Sequence, residues 1–148
     1  MEKEKIDLWM RMYEEQVRHA RHHESLRSQS TNLIVAISAA VIAFVGSEGV
    51  SQTSVPFLGG FLIAINVYGL LMSLKHYERS RLHVTVGSKY RDVVSAQTSI
   101  SNETINLARE YGRKEHSSKF KTIRALRAYL MWCGLHLILS LFGLSFIF

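Results

Sequence analysis

The stretch that decides the fold runs from Pro56 to Lys75 and reads Pro-Phe-Leu-Gly-Gly-Phe-Leu-Ile-Ala-Ile-Asn-Val-Tyr-Gly-Leu-Leu-Met-Ser-Leu-Lys, with no charge before its last residue. An α-helix rises about 1.5 Å per residue, so about 20 residues cross a hydrocarbon core of roughly 30 Å. Pro56 falls in the first turn of such a helix, where its missing N–H does no harm. The stretch therefore predicts a transmembrane helix over residues 56–75.

Two other blocks, Leu33 to Val45 and Ala128 to Phe148, also lack Asp, Glu, Lys and Arg, and the remaining segments carry all 30 charges. This segregation is typical of a membrane protein rather than of a globular core. Flanking residues extend the first block to a span over 31–50, with Glu48 at the interface or in a polar vestibule. The block at 128–148 has the length of a span but no polar flank after it. We therefore predict a single all-α domain, 1–148, that is an integral membrane helical bundle with two or three transmembrane helices.

The positions of Lys and Arg predict the orientation of these spans. Residues 1–30 contain six of them and residues 75–127 contain twelve, whereas the connector from Ser47 to Val55 contains none. Both basic segments are therefore expected in the cytoplasm, in a multi-pass protein with a cytoplasmic N-terminus.

The two cytoplasmic segments have helical periodicity. In 1–30, apolar residues recur at spacings of three and four with no Gly or Pro, so one long helix should run from the cytoplasm into the first span. Segment 76–127 begins with a similar seam, then has turn formers around Gln97 and a helix N-cap signal at Ser101. It is predicted to be a helical hairpin with a weak point at Gly112. The two seams consist of Ile6, Met10, Tyr13, Val17 and Ala20, and of Leu74, Tyr77, Arg81, Val84, Ser88, Arg91 and Ser95.

The hairpin is strongly basic. Residues 75–127 carry twelve basic and five acidic side chains, whereas residues 1–30 carry six of each. Orientation bias alone explains this excess as readily as a binding surface for anionic lipid or nucleotide phosphates does. The candidate ligand-binding residues are Arg79, Arg81, Lys89, Arg91, Arg109, Arg113, Lys114 and Lys119.

Each apolar block carries a stripe of small or polar residues, the kind through which helices associate in lipid. The stripes are Ala36, Ala40, Ala43 and Ser47; Gly59, Asn66, Gly69 and Ser73; and Cys133, His136, Ser140 and Gly143. An amide near mid-bilayer, such as Asn66, needs a hydrogen-bond partner or water. It either bonds to a neighbouring helix or belongs to a ring that lines a homo-oligomeric pore. The candidate interhelical or pore-lining polar residues are Ser38, Asn66, Ser73 and His136.

Catalytic motifs are weak. There is no phosphate loop, no Cys pair and no Gly-x-Ser-x-Gly elbow. Arg18 with His23, and Arg109 with His116, match the loose arginine–histidine spacing of HEPN-like ribonucleases, a pattern that arises easily by chance. His19 and His23 have the spacing of metal ligands, but a solvated helix face explains them more simply. The prediction is a protein that is not an enzyme and holds no cofactor and no metal.

The run His23-Glu-Ser-Leu-Arg-Ser-Gln-Ser-Thr-Asn32, with the basic helix before it and the small-residue span after it, resembles SLATT domains, the small membrane effectors of bacterial nucleotide-signalling and antiviral defence systems. The resemblance covers roughly residues 8–95, and a third span at 128–148 departs from the family's two-span pattern. It implies a homo-oligomeric pore, a tetramer or larger, in the bacterial inner membrane. A nucleotide or oligonucleotide made by a partner nucleotidyltransferase-type enzyme would gate the pore, and opening it would depolarise the cell.

Two other functions remain open. A non-conducting membrane adaptor would anchor a partner enzyme through the seam from Ile6 to Ala20. A membrane-bound HEPN-like ribonuclease would use Arg18 and His23.

Overall fold

The computed structural model of the chain describes residues 2–98, 102–119 and 127–148. These ranges contain four helices, α1 over Glu2–Val45, α2 over Val55–Gln97, α3 over Asn102–Lys119 and α4 over Ala128–Leu144. No strand occurs in them. The prediction of an all-α protein is confirmed.

Helix α1 is continuous for 44 residues because nothing in its sequence breaks it. Residues 2–45 contain neither Gly nor Pro, so no backbone hydrogen bond is lost and no residue weakens the helix strongly. It ends in a turn in which the Ser47 N–H donates to the Phe44 carbonyl over 3.0 Å. Gly49 then has a φ of +96°, which glycine adopts without strain. The long first helix thus forms as its pattern predicts, but it ends at Val45 rather than near residue 50.

The other helices differ from prediction mainly at their ends. Helix α2 passes through Lys75 without a break, so the second apolar block and the helix after it are one element. Gly112 lies inside α3 and does not interrupt it. Helix α4 has 17 residues and ends at Leu144, short of the predicted 128–148. The predicted N-cap Ser101 and residues 120–126 lie outside the described residues.

The chain forms two compact units. The charged unit comprises Met1–His23 and Arg79–Arg127, and the apolar unit comprises Glu24–Glu78 and Ala128–Phe148. Helices α1 and α2 each contribute one segment to the charged unit and another to the apolar unit. Helix α3 belongs to the charged unit, and α4 belongs to the apolar unit.

In the apolar unit, the buried residues of each helix lie on one face because they recur at spacings of three, four or seven. Most of them are small or polar. They are Arg27, Thr31, Ile34 and Ser38 on α1; Gly59, Leu62, Asn66, Gly69 and Ser73 on α2; and Cys133, His136 and Gly143 on α4.

The stripe predicted for the first apolar block lies elsewhere. Ala36, Ala40, Ala43 and Ser47 are all exposed. At about 100° per residue, the three alanines lie on the side of α1 opposite Ser38, whereas Ser47 follows the end of the helix. Within one chain, α1 therefore packs through Thr31, Ile34 and Ser38 rather than through its alanines.

Helices α2 and α4 cross with their backbones in contact at Gly59 and Gly143. A Cβ placed on Gly59 would lie 2.7 Å from the Gly143 carbonyl oxygen, and one placed on Gly143 would lie 2.9 Å from the Gly59 carbonyl oxygen. Even an alanine methyl group has no room at this crossing, so the two glycines set the closest approach of the helices.

In the charged unit, α1 packs against α2 through aromatic and long polar side chains. The rings of Trp9 and Tyr90 have centroids 5.7 Å apart. Gly87 faces Gln16 and Tyr13, because a Cβ there would lie 3.2 Å from the Gln16 Cβ.

The seam predicted along α2 in this region is only partly correct. Val84, expected on it, is 48% exposed, whereas Ser95, also expected on it, is buried. The other buried positions of α2 in this unit are Ser80 and Gly87, each one residue before a predicted seam position. The residues of α2 at this contact are small because large side chains of α1 fill the space between the two helices.

The outer surface of the apolar unit is apolar. Large side chains are exposed on all three helices, including Phe57 at 77%, Leu71 at 60% and Ile138 at 64%. Helices α1 and α2 are long and apolar enough to cross a membrane, and only 17% and 28% of the residues in their most apolar windows are buried, unlike the core helix of a soluble protein. Soluble monomers rarely expose so large an apolar area.

The crossing at Gly59 makes a testable prediction. Gly59→Ala is expected to destabilise the apolar unit by about 1–3 kcal/mol, since the methyl group forces the helices apart. Gly60→Ala is the matched control, because a Cβ at Gly60 meets nothing within 4 Å. Unfolding of the detergent-solubilised protein, followed by circular dichroism, measures both. Equal stability of the two variants would contradict the close crossing.

Candidate functional site

A chain of hydrogen bonds joins α1, α2 and α4 in the centre of the apolar unit. The Asn66 Nδ2 donates to the Ser38 Oγ over 2.8 Å and to the Leu62 carbonyl over 3.0 Å. The Asn66 Oδ1 lies 3.1 Å from the His136 Nδ1. The Thr31 Oγ1 lies 3.4 Å from the His136 Nε2. Each helix therefore supplies at least one partner.

These bonds fix the direction of donation along the chain. Because both protons of the Asn66 amide have acceptors, its oxygen must accept, and the His136 Nδ1 must carry the proton. The His136 Nε2 is then an acceptor for the Thr31 hydroxyl. The arrangement satisfies Asn66 and both ring nitrogens, as buried polar groups require.

The four polar residues predicted for this unit are all inside a single chain. Ser38, Asn66 and His136 have no exposed surface, and Ser73 is 2% exposed. Ser38, Asn66 and His136 bond between helices, whereas the Ser73 hydroxyl has no hydrogen-bond partner among the described residues. In this packing none of the four faces outward, so a lumen between copies would need another surface.

Sequence analysis did not assign the roles of two residues of the site, Thr31 and Gly69. Thr31 stands outside the charge-free block, and its signal is only its spacing of seven from Ser38. Gly69 provides the space for the imidazole, since a Cβ there would lie 2.5 Å from the His136 Cε1. Gly69 appeared in the predicted stripe, but not as the residue that makes room for His136.

The run from His23 to Asn32 contributes a buried arginine. The Arg27 side chain is 7% exposed and pairs with Glu24 three residues earlier, and its Nε has no partner among the described residues. A buried charge persists only when it is paired. Arg27 and Thr31 thus face inward from the motif on which the family resemblance rests.

The predicted basic cluster on α2 does not form one surface. Arg79 and Arg81 lie about 200° apart around the helix. The Arg91 guanidinium is partly buried and lies 2.6 Å from Asp92. Arg81 and Lys89 are exposed and form no ion pair with the described residues. These four cations therefore cannot all contact one small anion.

The cations of α3 are better arranged. Arg109, Arg113 and His116 recur at spacings of four and three, so they lie on one side of the helix. An open groove of about 640 Å³ lies along this side, and it is also lined by Glu110, Gly112, Lys114 and Ser117. Arg109 and Arg113 form no ion pair with the described residues. The groove can accept anionic oxygens through two guanidinium groups.

The other two predicted cations of α3 are paired. Lys114 lies 3.0 Å from Glu110, and Lys119 lies 2.8 Å from Glu115. Such exposed pairs contribute only about 0.2–1 kcal/mol, so an incoming anion can displace them.

The histidines considered as catalytic or metal-binding groups lie in the charged unit. The ring of His23 is stacked on that of His83. Within residues 2–98, 102–119 and 127–148, no three His, Cys, Asp or Glu side chains are grouped so that they could hold a metal ion.

The hydrogen-bond chain makes a second prediction. Asn66→Ala is expected to cost about 1–3 kcal/mol of stability, because it removes the acceptor of the His136 Nδ1–H and the donor to Ser38. Ser140→Ala is the control, since that hydroxyl bonds only to the His136 carbonyl of its own helix, over 2.9 Å. Unfolding in mixed detergent micelles compares the two, and an Asn66 variant no weaker than the Ser140 variant would rule out an interhelical role for the amide.

The hydrogen-bond chain of the apolar unit can hold three helices in register, and the groove of α3 in the charged unit can present two guanidinium groups to an anion. Comparison with family models, with curated proteins and with solved structures gave no match to this chain.

Proposed function

We propose that the chain is a multi-pass membrane protein whose copies assemble into an ion pore gated by an anionic nucleotide or oligonucleotide. The observation that carries this proposal is the inverted surface of the apolar unit. Its interior holds Arg27, Asn66 and His136, whereas its exterior consists largely of apolar side chains such as Phe57 and Ile138. Such an apolar exterior is stable in contact with lipid, whereas its exposure to water would be unfavourable.

The proposed topology follows from helix length and charge. The apolar parts of α1 and α2 are long enough to cross the hydrocarbon core. At about 26 Å, the 17 residues of α4 are near the lower limit for a span. The Lys and Arg distribution supports a cytoplasmic location for the charged unit, in the inner membrane of a bacterium.

The outer face of α1 is the surface we assign to assembly and to the pore. This outer α1 face consists of Asn32, Ala36, Ala40 and Ala43, all exposed. Small side chains allow helices of neighbouring copies to approach closely, and the amide can contact water in a lumen. Exposed positions of α2 and α4 carry mainly large apolar side chains, which suit lipid.

The groove of α3 is the surface we assign to the ligand. Arg109 and Arg113 lie on one side of a helix and form no ion pair with the described residues, and a nucleotide supplies the phosphates that such a pair prefers. Binding there would change the balance of charge in the cytoplasmic helices that continue into the first two spans. The resemblance of residues 8–95 to SLATT domains supports the same function, in which a partner nucleotidyltransferase-type enzyme makes the ligand and pore opening depolarises the infected cell.

The alternatives have weaker support. An adaptor would need the seam from Ile6 to Ala20 for a partner enzyme, yet Tyr13 of this seam already packs against α2 at Gly87. A ribonuclease would need His23 beside Arg18, whereas its ring is stacked on His83.

Assembly through the outer α1 face is testable by substitution. Ala40→Leu is expected to abolish at least nine tenths of ion flux from liposomes and to reduce the cross-linked oligomer, because the larger side chain separates the copies. Ala64→Leu is the matched control, an identical change at an exposed position of α2 among large apolar neighbours. Flux lost equally in both variants, or in neither, would reject this face as the interface.

Ligand binding at α3 is testable by titration with a fluorescent oligoadenylate. Removing two phosphate contacts in Arg109→Gln/Arg113→Gln is expected to weaken binding about tenfold or more and to lower the salt slope by about 1.4. Lys3→Gln/Lys5→Gln removes the same charge from exposed positions of α1 and should leave the slope unchanged. Binding that is insensitive to salt, or equally affected in both variants, would contradict the assignment.

A further inference from the structure

The connector between α1 and α2 carries one charged side chain, Glu48. The sequence has no other Asp, Glu, Lys or Arg between Arg27 and Lys75. The end of α4 lies beside the start of α2, because Gly143 contacts Gly59, and residues 144–148 have no charged side chain either. At this end of the apolar unit, Glu48 is therefore the single side chain with a charge.

The turn after α1 exposes this carboxylate. The Ser47 N–H and hydroxyl both donate to the Phe44 carbonyl, over 3.0 Å and 2.7 Å, and so close the last turn of the helix. Gly49 then adopts a φ of +96° and turns the chain away from the helix axis. Glu48 lies between Ser47 and Gly49, is exposed and forms no ion pair with the described residues. None of them neutralises its negative charge.

The other end of the outer α1 face is polar but uncharged. Ser25 and Gln29 precede Asn32 at spacings of four and three, so they continue this face, and both are exposed. The Gln29 Nε2 donates to the Ser25 Oγ over 3.0 Å. Arg27 lies on the opposite side of the helix, where it is buried and paired with Glu24.

Other cations near the apolar unit are paired or distant. The Lys75 Nζ lies 2.8 Å from the Glu78 Oε2. Arg21 precedes Ala36, the first alanine of the outer α1 face, by 15 residues, which is about 22 Å of helix. That distance is nearly three Debye lengths of about 8 Å at physiological ionic strength, so the Arg21 charge is largely screened there. Glu48, in contrast, follows Ala43, the last alanine, by only five residues.

We propose that Glu48 makes the pore selective for cations. This inference rests on the proposed assembly through the outer α1 face. Around an axis lined by that face, each copy would contribute one Glu48 carboxylate at the mouth where α1 ends, and rings of carboxylates favour the entry of cations. The low-dielectric wall of a pore focuses this field, which raises the local concentration of cations and lowers that of anions. The ions assigned to the pore are therefore small cations such as K⁺.

The test measures which ion carries the current. Full-length protein is reconstituted in planar bilayers of zwitterionic phosphatidylcholine with a KCl gradient, with and without an oligoadenylate on both sides. The reversal potential gives the permeability ratio of K⁺ to Cl⁻, and we expect a ratio of about three or more at low salt. The ratio should fall when the salt concentration is raised to about 1 M, because the Debye length then shrinks to about 3 Å.

Variants attribute the selectivity to one side chain. Glu48→Gln should bring the ratio to about one, Glu48→Lys should favour Cl⁻, and Glu48→Asp should keep the preference for K⁺. Glu103→Gln is the matched control, because it removes the same charge from an exposed position of α3 and should keep the original ratio.

The outcomes separate the selectivity from the pore itself. A current that does not favour K⁺, or a preference for K⁺ that persists in Glu48→Gln, would overturn the role of Glu48 and leave the pore standing. The absence of any current from the unsubstituted protein, with and without the oligoadenylate, would contradict the pore and the selectivity together.

Discussion

A buried amide and a buried imidazole that satisfy each other place the strongest constraint on this fold. Asn66 and His136 lie among apolar helices with no exposed surface, where each would be costly without a partner. Their 3.1 Å contact fixes α4 against α2, and the bonds to Ser38 and Thr31 fix both against α1. Contacts among aliphatic side chains tolerate sliding by a helical turn, whereas this chain of donors and acceptors does not. The polar interior therefore selects one register for three helices.

The same constraint separates the surfaces that the proposed function needs for lipid, for neighbouring copies and for the ligand. With the amide, imidazole and hydroxyls directed inward, the outside of α2 and α4 is left to large apolar side chains. The outer α1 face, with its small residues, is the exception. The charged unit lacks this inversion, because its contacts are aromatic and polar and its outer cations remain in reach of soluble anions. In the proposed function, lipid, neighbouring copies and ligand would each contact a different surface.

Sequence patterning was reliable where one physical effect dominates. The absence of Gly and Pro over residues 2–45 was enough to predict a continuous α1, and missing charges were enough to locate all three apolar blocks. Sequence patterning failed where helices meet closely. Apolar spacing favours large residues at such a contact, whereas the residues found there are small. On α2, Ser80 and Gly87 are buried while Val84 is exposed, since Tyr13 and Gln16 of α1 fill the space. The alanine stripe of α1 was expected at a helix contact but is exposed. Small residues indicate a close contact between helices, but they do not show whether the second helix belongs to the same chain. The pairing of Lys114 with Glu110 and of Lys119 with Glu115 follows from their spacing of four residues. Counting the net charge of the segment does not reveal such local ion pairs.

The order of the contacts along the chain has a consequence for how the apolar unit forms. Ser38 and Asn66 are separated by 28 residues and joined through a nine-residue connector, whereas Asn66 and His136 are separated by 70 residues and Thr31 and His136 by 105. Closing a longer loop costs more conformational entropy, so the α1–α2 hairpin should form first. Helix α4 then joins a hairpin in which the Asn66 oxygen does not yet accept a hydrogen bond. The docking of α4 supplies the imidazole of His136 as the donor. Folding of the apolar unit thus ends with the docking of α4, and the central amide of Asn66 is only half-satisfied until then.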